Sequence, residues 1–119
     1  LMTYCRAGHP LPLLVGPERE EWLDTAGMLF GILEEGGFGE DTVQLQQGEA
    51  IVFYTDGLVE CGESHEEFFG TEGVHRAAEN LLGQEPTFMA EGIVQAARDY
   101  AGDMPIADDM TAMVLRLAP

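Results

Sequence analysis

The chain contains no lysine, and its five arginines stand against 22 acidic residues, for a formal net charge of −17. Without lysine there can be no Schiff-base or other lysine-dependent mechanism within these residues. The negative field repels nucleic acid and anionic membrane surfaces and favours divalent cations or basic partners. Arg6, Arg19, Arg76, Arg98 and Arg116 form no cluster. Cysteine is scarce too. Cys5 and Cys61 are the only two, without CxxC spacing, which disfavours a disulfide scaffold and a thiolate zinc site. No apolar run reaches the roughly 18 residues that a membrane span needs. Walker, dinucleotide, zincin and nucleophile-elbow motifs are all missing.

Apolar residues are not scarce. They make up 45% of the 119 residues, enough for a core despite the charge, so a single ordered domain or a piece of one is expected. Leu1 to Arg6 has neither the basic leader nor the apolar segment of a signal peptide. It opens like the middle of a strand, which suggests a cut from a longer chain.

The pattern predicts strands over residues 2–7, 11–15, 21–24, 42–46, 50–55 and 110–117. The first three read as an antiparallel meander. Glycines at 27, 31, 36, 37 and 39 make residues 25–39 a loop carrying apolar side chains rather than a long helix. Helical spacing predicts one helix from Thr71, as its cap, to about Leu82. A second opens at Pro86, with a stripe of Phe88, Met89, Ile93, Val94, Ala97 and Tyr100. The chain after Asp56-Gly57 reads as loop. The last strand returns to the sheet most simply beside the 50–55 strand.

Ile51-Val52-Phe53-Tyr54 is a run of β-formers that stops at Thr55-Asp56-Gly57. This puts a carboxylate at the end of a buried strand, before a glycine that permits a sharp exit. Asp108-Asp109 stands before the apolar run Ala112 to Leu115. Brought together, Asp56 and Asp108 would repel each other unless a cation lay between them. Hard ions such as Mg²⁺ or Mn²⁺ take such oxygen ligands. A turn aspartate and a strand cap are the plainer readings of the same residues. Neighbouring Asp108 and Asp109 point to opposite faces of a strand and do not share one role. His9, in Gly8-His9-Pro10, reads as a turn-bonding imidazole ahead of a phosphate or metal contact. Arg6 reads as a salt-bridged arginine ahead of a phosphate contact. His65 and His75 read as surface side chains.

Ala7-Gly8-His9-Pro10-Leu11-Pro12, Gly27 to Gly31, Gly48 to Glu60, Phe68-Phe69-Gly70 and Ala107 to Thr111 together resemble the C-terminal half of metal-dependent protein serine/threonine phosphatases (the PPM superfamily). The likeness is to the bacterial branch of stage II sporulation protein E and the stress-response sigma-factor regulators. It implies an α/β sandwich of antiparallel β-sheets flanked by antiparallel helices, with residues 1–119 as the C-terminal part of the catalytic domain. It implies Asp56 and Asp108 as metal-binding catalytic residues, Gly57 as a backbone position of the motif and Asp109 in a supporting role. Two ions, Mn²⁺ or Mg²⁺, would activate water against phosphoserine or phosphothreonine. The implied substrate is a cytoplasmic regulatory protein such as an anti-sigma-factor antagonist. The family's earlier metal-binding aspartate and Asp-Gly pair are missing, and Glu40-Asp41 does not sit in a matching motif. The intact parent is therefore expected to be active, and these 119 residues weakly active or inactive. They should pair as a homodimer or domain-swapped assembly. A noncatalytic acidic interaction module, or a pseudophosphatase, is the alternative.

Overall fold

Strand β5 (Ala50–Tyr54) is apolar throughout because both of its faces are covered. Ala50, Val52 and Tyr54 face one core cluster, and Ile51 faces the other. This is the period-2 geometry of a strand sandwiched between layers. A computed structural model describes residues 1–25, 39–62 and 67–118. Its strands include β1 (Met2–Cys5), β2 (Leu13–Val15), β3 (Glu20–Trp22), β4 (Glu40–Val43) and β6 (Ala112–Arg116). Helices are α1 (Asp56–Val59), α2 (Gly70–Leu81) and α3 (Pro86–Ala101).

One sheet runs β3-β2-β5-β6, antiparallel at every pairing. The last strand does lie beside β5, with Val52 opposite Val114 and Tyr54 opposite Ala112. The other sheet is β1-β4, also antiparallel. The opening is thus not one meander. β2 and β3 form a hairpin, but β1 leaves them to pair with β4, Met2 opposite Val43. The tertiary gain is a second core: Val43 and Leu45 close over Leu14, Leu23 and Ile51, with Met2, Tyr4 and Phe53 at its margin. Helices α2 and α3 cover the opposite face of the larger sheet. The antiparallel sandwich flanked by helices is therefore present. The glycine-rich segment and His65 fall outside the described residues.

Helix α3 starts at Pro86, whose fixed φ and missing N–H suit a first turn. It buries Met89, Ile93, Ala97 and Ala101, a stripe at four-residue spacing. Phe88 lies off that stripe and is exposed; Tyr100, also off it, sets its ring 5.7 Å from that of Phe69 and donates to the Glu67 carbonyl. Helix α2 buries Val74, Ala77 and Ala78. Its N-cap is Phe69, and no side chain caps it, so Thr71 lies inside the first turn. The segment after β5 is a short helix, α1, rather than loop.

On β6, Ala112 and Val114 pack toward the helices. Met113, Leu115 and, just beyond the strand, Leu117 turn the other way and stay 56%, 42% and 39% exposed. The β1-β4 sheet roofs β2 and β5, and β6 contributes nothing to the core beneath it.

Glu49 fixes the approach to β5. It is 4% exposed and grips Arg19 through two bonds, Nε to Oε1 at 2.6 Å and Nη2 to Oε2 at 2.9 Å. The Gln46 N–H donates to the same carboxylate at 2.8 Å. The Arg19 hydrogen bond, only partly opposed by burial, holds the Glu49 carboxyl below its ordinary 4.5. A lowered folded pKa contributes stability that is present above the unfolded value and is lost as pH falls through the folded one. Glu49→Gln should therefore lower Tm at neutral pH and flatten the further fall of Tm below pH 4.5. Thermal unfolding across that range checks this, and parallel Tm profiles for the two proteins would contradict it.

Candidate metal and phosphate site

Two backbone latches tie the end of β5 to the start of β6. The Thr55 N–H donates to the Thr111 carbonyl at 3.1 Å. The Thr111 N–H donates to Thr55 Oγ1 at 3.1 Å, and that hydroxyl donates onward to the Asp109 carbonyl at 3.2 Å. Asp56 follows Thr55 directly, and Asp108 and Asp109 lie just before Thr111. Both acid-bearing segments are thereby held at one end of the larger sheet.

Gly57 brings them closer still. A Cβ placed there would lie 2.2 Å from the Asp109 carbonyl oxygen and 3.1 Å from the Asp108 carbonyl carbon. Its φ is not positive. The glycine is required for space between two backbones, and not for the left-handed conformation that a sharp exit would call for. Helix α1 begins at Asp56 and is closed by the Glu60 N–H on the Asp56 carbonyl at 2.9 Å.

Asp56, Asp108 and Asp109 are all exposed. Asp108 Oδ1 accepts the Asp109 N–H at 2.8 Å, which fixes the direction of the Asp108 carboxylate. Asp109 contributes to the junction through its backbone, as the carbonyl that meets Thr55 and Gly57. Beside the junction opens a cleft of about 440 Å³, lined by Gly57, Glu60, Cys61, Met104, Ile106 and Asp108. Asp108 and Glu60 line this cleft and Asp56 does not; exposed carboxylates of this kind suit hard divalent cations, which take oxygen ligands and keep water in their shell. Buried Tyr54 lies behind the site. Its hydroxyl donates to the Leu11 carbonyl at 2.7 Å. Burial, and then the Asp56 charge, push its pKa up to about 12, so it stays neutral.

Other sequence candidates sit elsewhere. Arg6 is paired with Asp24 at 3.1 Å and also donates to the His9 carbonyl at 2.9 Å. His9 Nδ1 lies 2.9 Å from the Pro10 carbonyl. Both are engaged in the turn. Glu40 and Asp41 are on β4, opposite Cys5 and Tyr4 in the smaller sheet. Cys5 and Cys61 are free thiols, and burial raises the Cys61 pKa. Sequence reasoning missed the Thr55 and Thr111 latch and the place of Glu60 on the cleft. A threonine at a strand exit carries no signal of its cross-strand partner.

The family model for stage II sporulation protein E (SpoIIE) matches residues 1–118. The chain is similar to the PP2C phosphatase domain of the cell fate determinant SpoIIE from Bacillus subtilis. That likeness has a TM-score of 0.76 at 19% identity over 97% of this chain and 33% of the other. It is also similar to the RsbU and RsbW domains of Rv1364c from Mycobacterium tuberculosis, with a TM-score of 0.70 at 26% identity over 94% of this chain and 31% of the other. In sequence it is 29% identical over 72 residues to protein IcfG of Synechocystis sp., covering 60% of this chain and 11% of that protein. The chain thus spans about a third of these solved relatives and about a tenth of the curated one. With its two antiparallel sheets, flanking helices and near-complete match to the family model, the chain belongs to the SpoIIE family and carries part of a PP2C-type phosphatase fold.

Proposed function

We propose that the chain is the C-terminal part of a metal-dependent protein serine/threonine phosphatase domain. The observation that carries this reading is the close backbone contact of Gly57 with Asp108-Asp109, which sets two acidic segments on one cleft in a SpoIIE-family chain. Asp56 and Asp108 hold Mn²⁺ or Mg²⁺ through carboxylate oxygens. Asp109 supports them through its backbone, and Gly57 permits the approach. Bound divalent ions supply a nucleophilic water and offset the charge that develops on the phosphoryl group. The chain's own residues orient that chemistry. The Thr55–Thr111 latch supports this by tying together the two backbone segments that carry Asp56 and Asp108, and Asp108 Oδ1 accepts the Asp109 N–H.

The proposed substrate is a phosphoserine or phosphothreonine of a regulatory protein, such as an anti-sigma-factor antagonist. Likeness to a structure with RsbU and RsbW domains supports that class. A cytoplasmic setting follows from such a substrate. Among the described residues no helix is long and apolar enough to cross a membrane. The exposed apolar row on β6, uncovered among the described residues, suits either the rest of a phosphatase domain or a second copy of the chain.

Titration calorimetry with Mn²⁺ and Mg²⁺ tests the site. Weak saturable binding should be lost in both Asp56→Ala and Asp108→Ala. Binding that survives either change unaltered would remove these residues from the site.

A further inference from the structure

Helix α2 places His75 and Glu79 one turn apart, so both side chains emerge on one face. That face looks toward β3, the edge strand of the larger sheet, which pairs only with β2 among the described residues. Glu20, the first residue of β3, reaches across. Its Oε2 contacts His75 Nε2, and Glu79 Oε1 lies 3.7 Å from the same nitrogen. All three donor atoms fall within 4.8 Å of one another. They come from two elements far apart in sequence, so the fold makes this convergence and not a local acidic run.

We propose that Glu20, His75 and Glu79 bind one zinc-class divalent ion, which ties edge strand β3 to helix α2. The donor set selects the metal class. Asp56 and Asp108 offer oxygen alone. One imidazole nitrogen with two carboxylate oxygens suits Zn²⁺, with water as the fourth ligand. Tetrahedral bonds about 2.0–2.2 Å long put ligand atoms roughly 3.3 Å apart. The donors need only small side-chain rotations to reach that spacing. Glu20 and Glu79 are 57% and 56% exposed and free to make them, while His75, at 24%, is the more fixed anchor. Without metal, His75 Nε2 meets Glu20 Oε2 directly. The consequence is mechanical. All three residues of β3 are exposed, and a metal clip reinforces the contact that Glu20 makes with His75.

The test is titration of the full 119-residue chain with Zn²⁺, and with Co²⁺ as a spectroscopic probe. One ion per chain should bind through His75 and raise Tm progressively with free zinc concentration. Cobalt should give visible absorption without a thiolate charge-transfer band, which excludes the exposed Cys5 as the ligand. Loss of a direct ligand in His75→Ala should weaken binding at least about tenfold and abolish the rise in Tm. Glu79→Gln should act in the same direction, and Asp56→Ala should leave this site intact. If His75→Ala does not fold, the His75 ring resonances of the unmodified chain serve instead, and they should shift with zinc. Absent saturable binding, a thiolate band, affinity unchanged by His75→Ala and Glu79→Gln, or ring resonances that ignore zinc would each overturn the proposal and leave the cluster an ion pair.

Discussion

Gly57→Ala is expected to destabilise the chain by about 3 kcal/mol, the upper part of the usual overpacking range. For a domain of this size that corresponds to a fall in Tm of roughly 10 °C. The reason is the nature of the obstacle. The added Cβ would lie 2.2 Å from the Asp109 carbonyl oxygen. That atom is backbone, and it also accepts the Thr55 hydroxyl. No rotamer change relieves the clash, so either α1 or the Asp108-Asp109 segment has to move. Movement of either separates Asp56 from Asp108, and Mn²⁺ binding should fall with Tm. Elsewhere, Gly92 would set its Cβ 2.6 Å from Leu81 Cδ1, a side-chain tip that can rotate away. Gly92→Ala is the matched control and should be much milder. A Gly57→Ala protein with unchanged Tm and unchanged metal affinity would mean that the close junction does not matter.

Extending the chain upstream to the length of the solved phosphatase domains should raise turnover on a phosphoserine or phosphothreonine substrate by at least about a hundredfold, equivalent to about 2.7 kcal/mol of barrier. On the proposed function, the exposed Asp56 and Asp108 would be only part of the ligand set that a two-ion centre needs. The same extension should change the mass in solution. Met113, Leu115 and Leu117 form an exposed apolar row with no layer above it among the described residues, and among those residues β6 ends the larger sheet. An unpaired strand edge beside exposed apolar side chains favours self-association. Sedimentation should show concentration-dependent pairing of the 119-residue chain and less of it in the extended protein. Full activity in the short chain, or a concentration-independent monomer mass, would contradict this account.

Much of the scaffold was legible in the residues. Runs of β-formers marked β2 and β5, because strands covered on both faces must be apolar throughout, and the apolar run from Ala112 to Leu115 marked β6. Pro86 and four-residue spacing marked α3. Boundaries drifted where burial, and not propensity, decides. Glu40 and Asp41 carry no strand signal, yet they open β4 because β1 lies alongside to take their hydrogen bonds. The start of α1 was hidden for a similar reason. Asp56-Gly57 is a turn by propensity, and its four-residue helix is closed by α1's own backbone and packed on the β6 approach.

The sequence by itself determined the acidic balance, the lack of lysine, the apolar strands and the presence of Asp56, Asp108 and Asp109. It also carried the family, through the order of its short motifs. Tertiary structure alone decided that β1 leaves its neighbours for β4, that Thr55 meets Thr111, that Gly57 is needed for space, and that Glu20 reaches His75. Composition and periodicity report on the environment each residue requires. They are silent on which distant backbone supplies it, because those partners are chosen by closing the whole core at once.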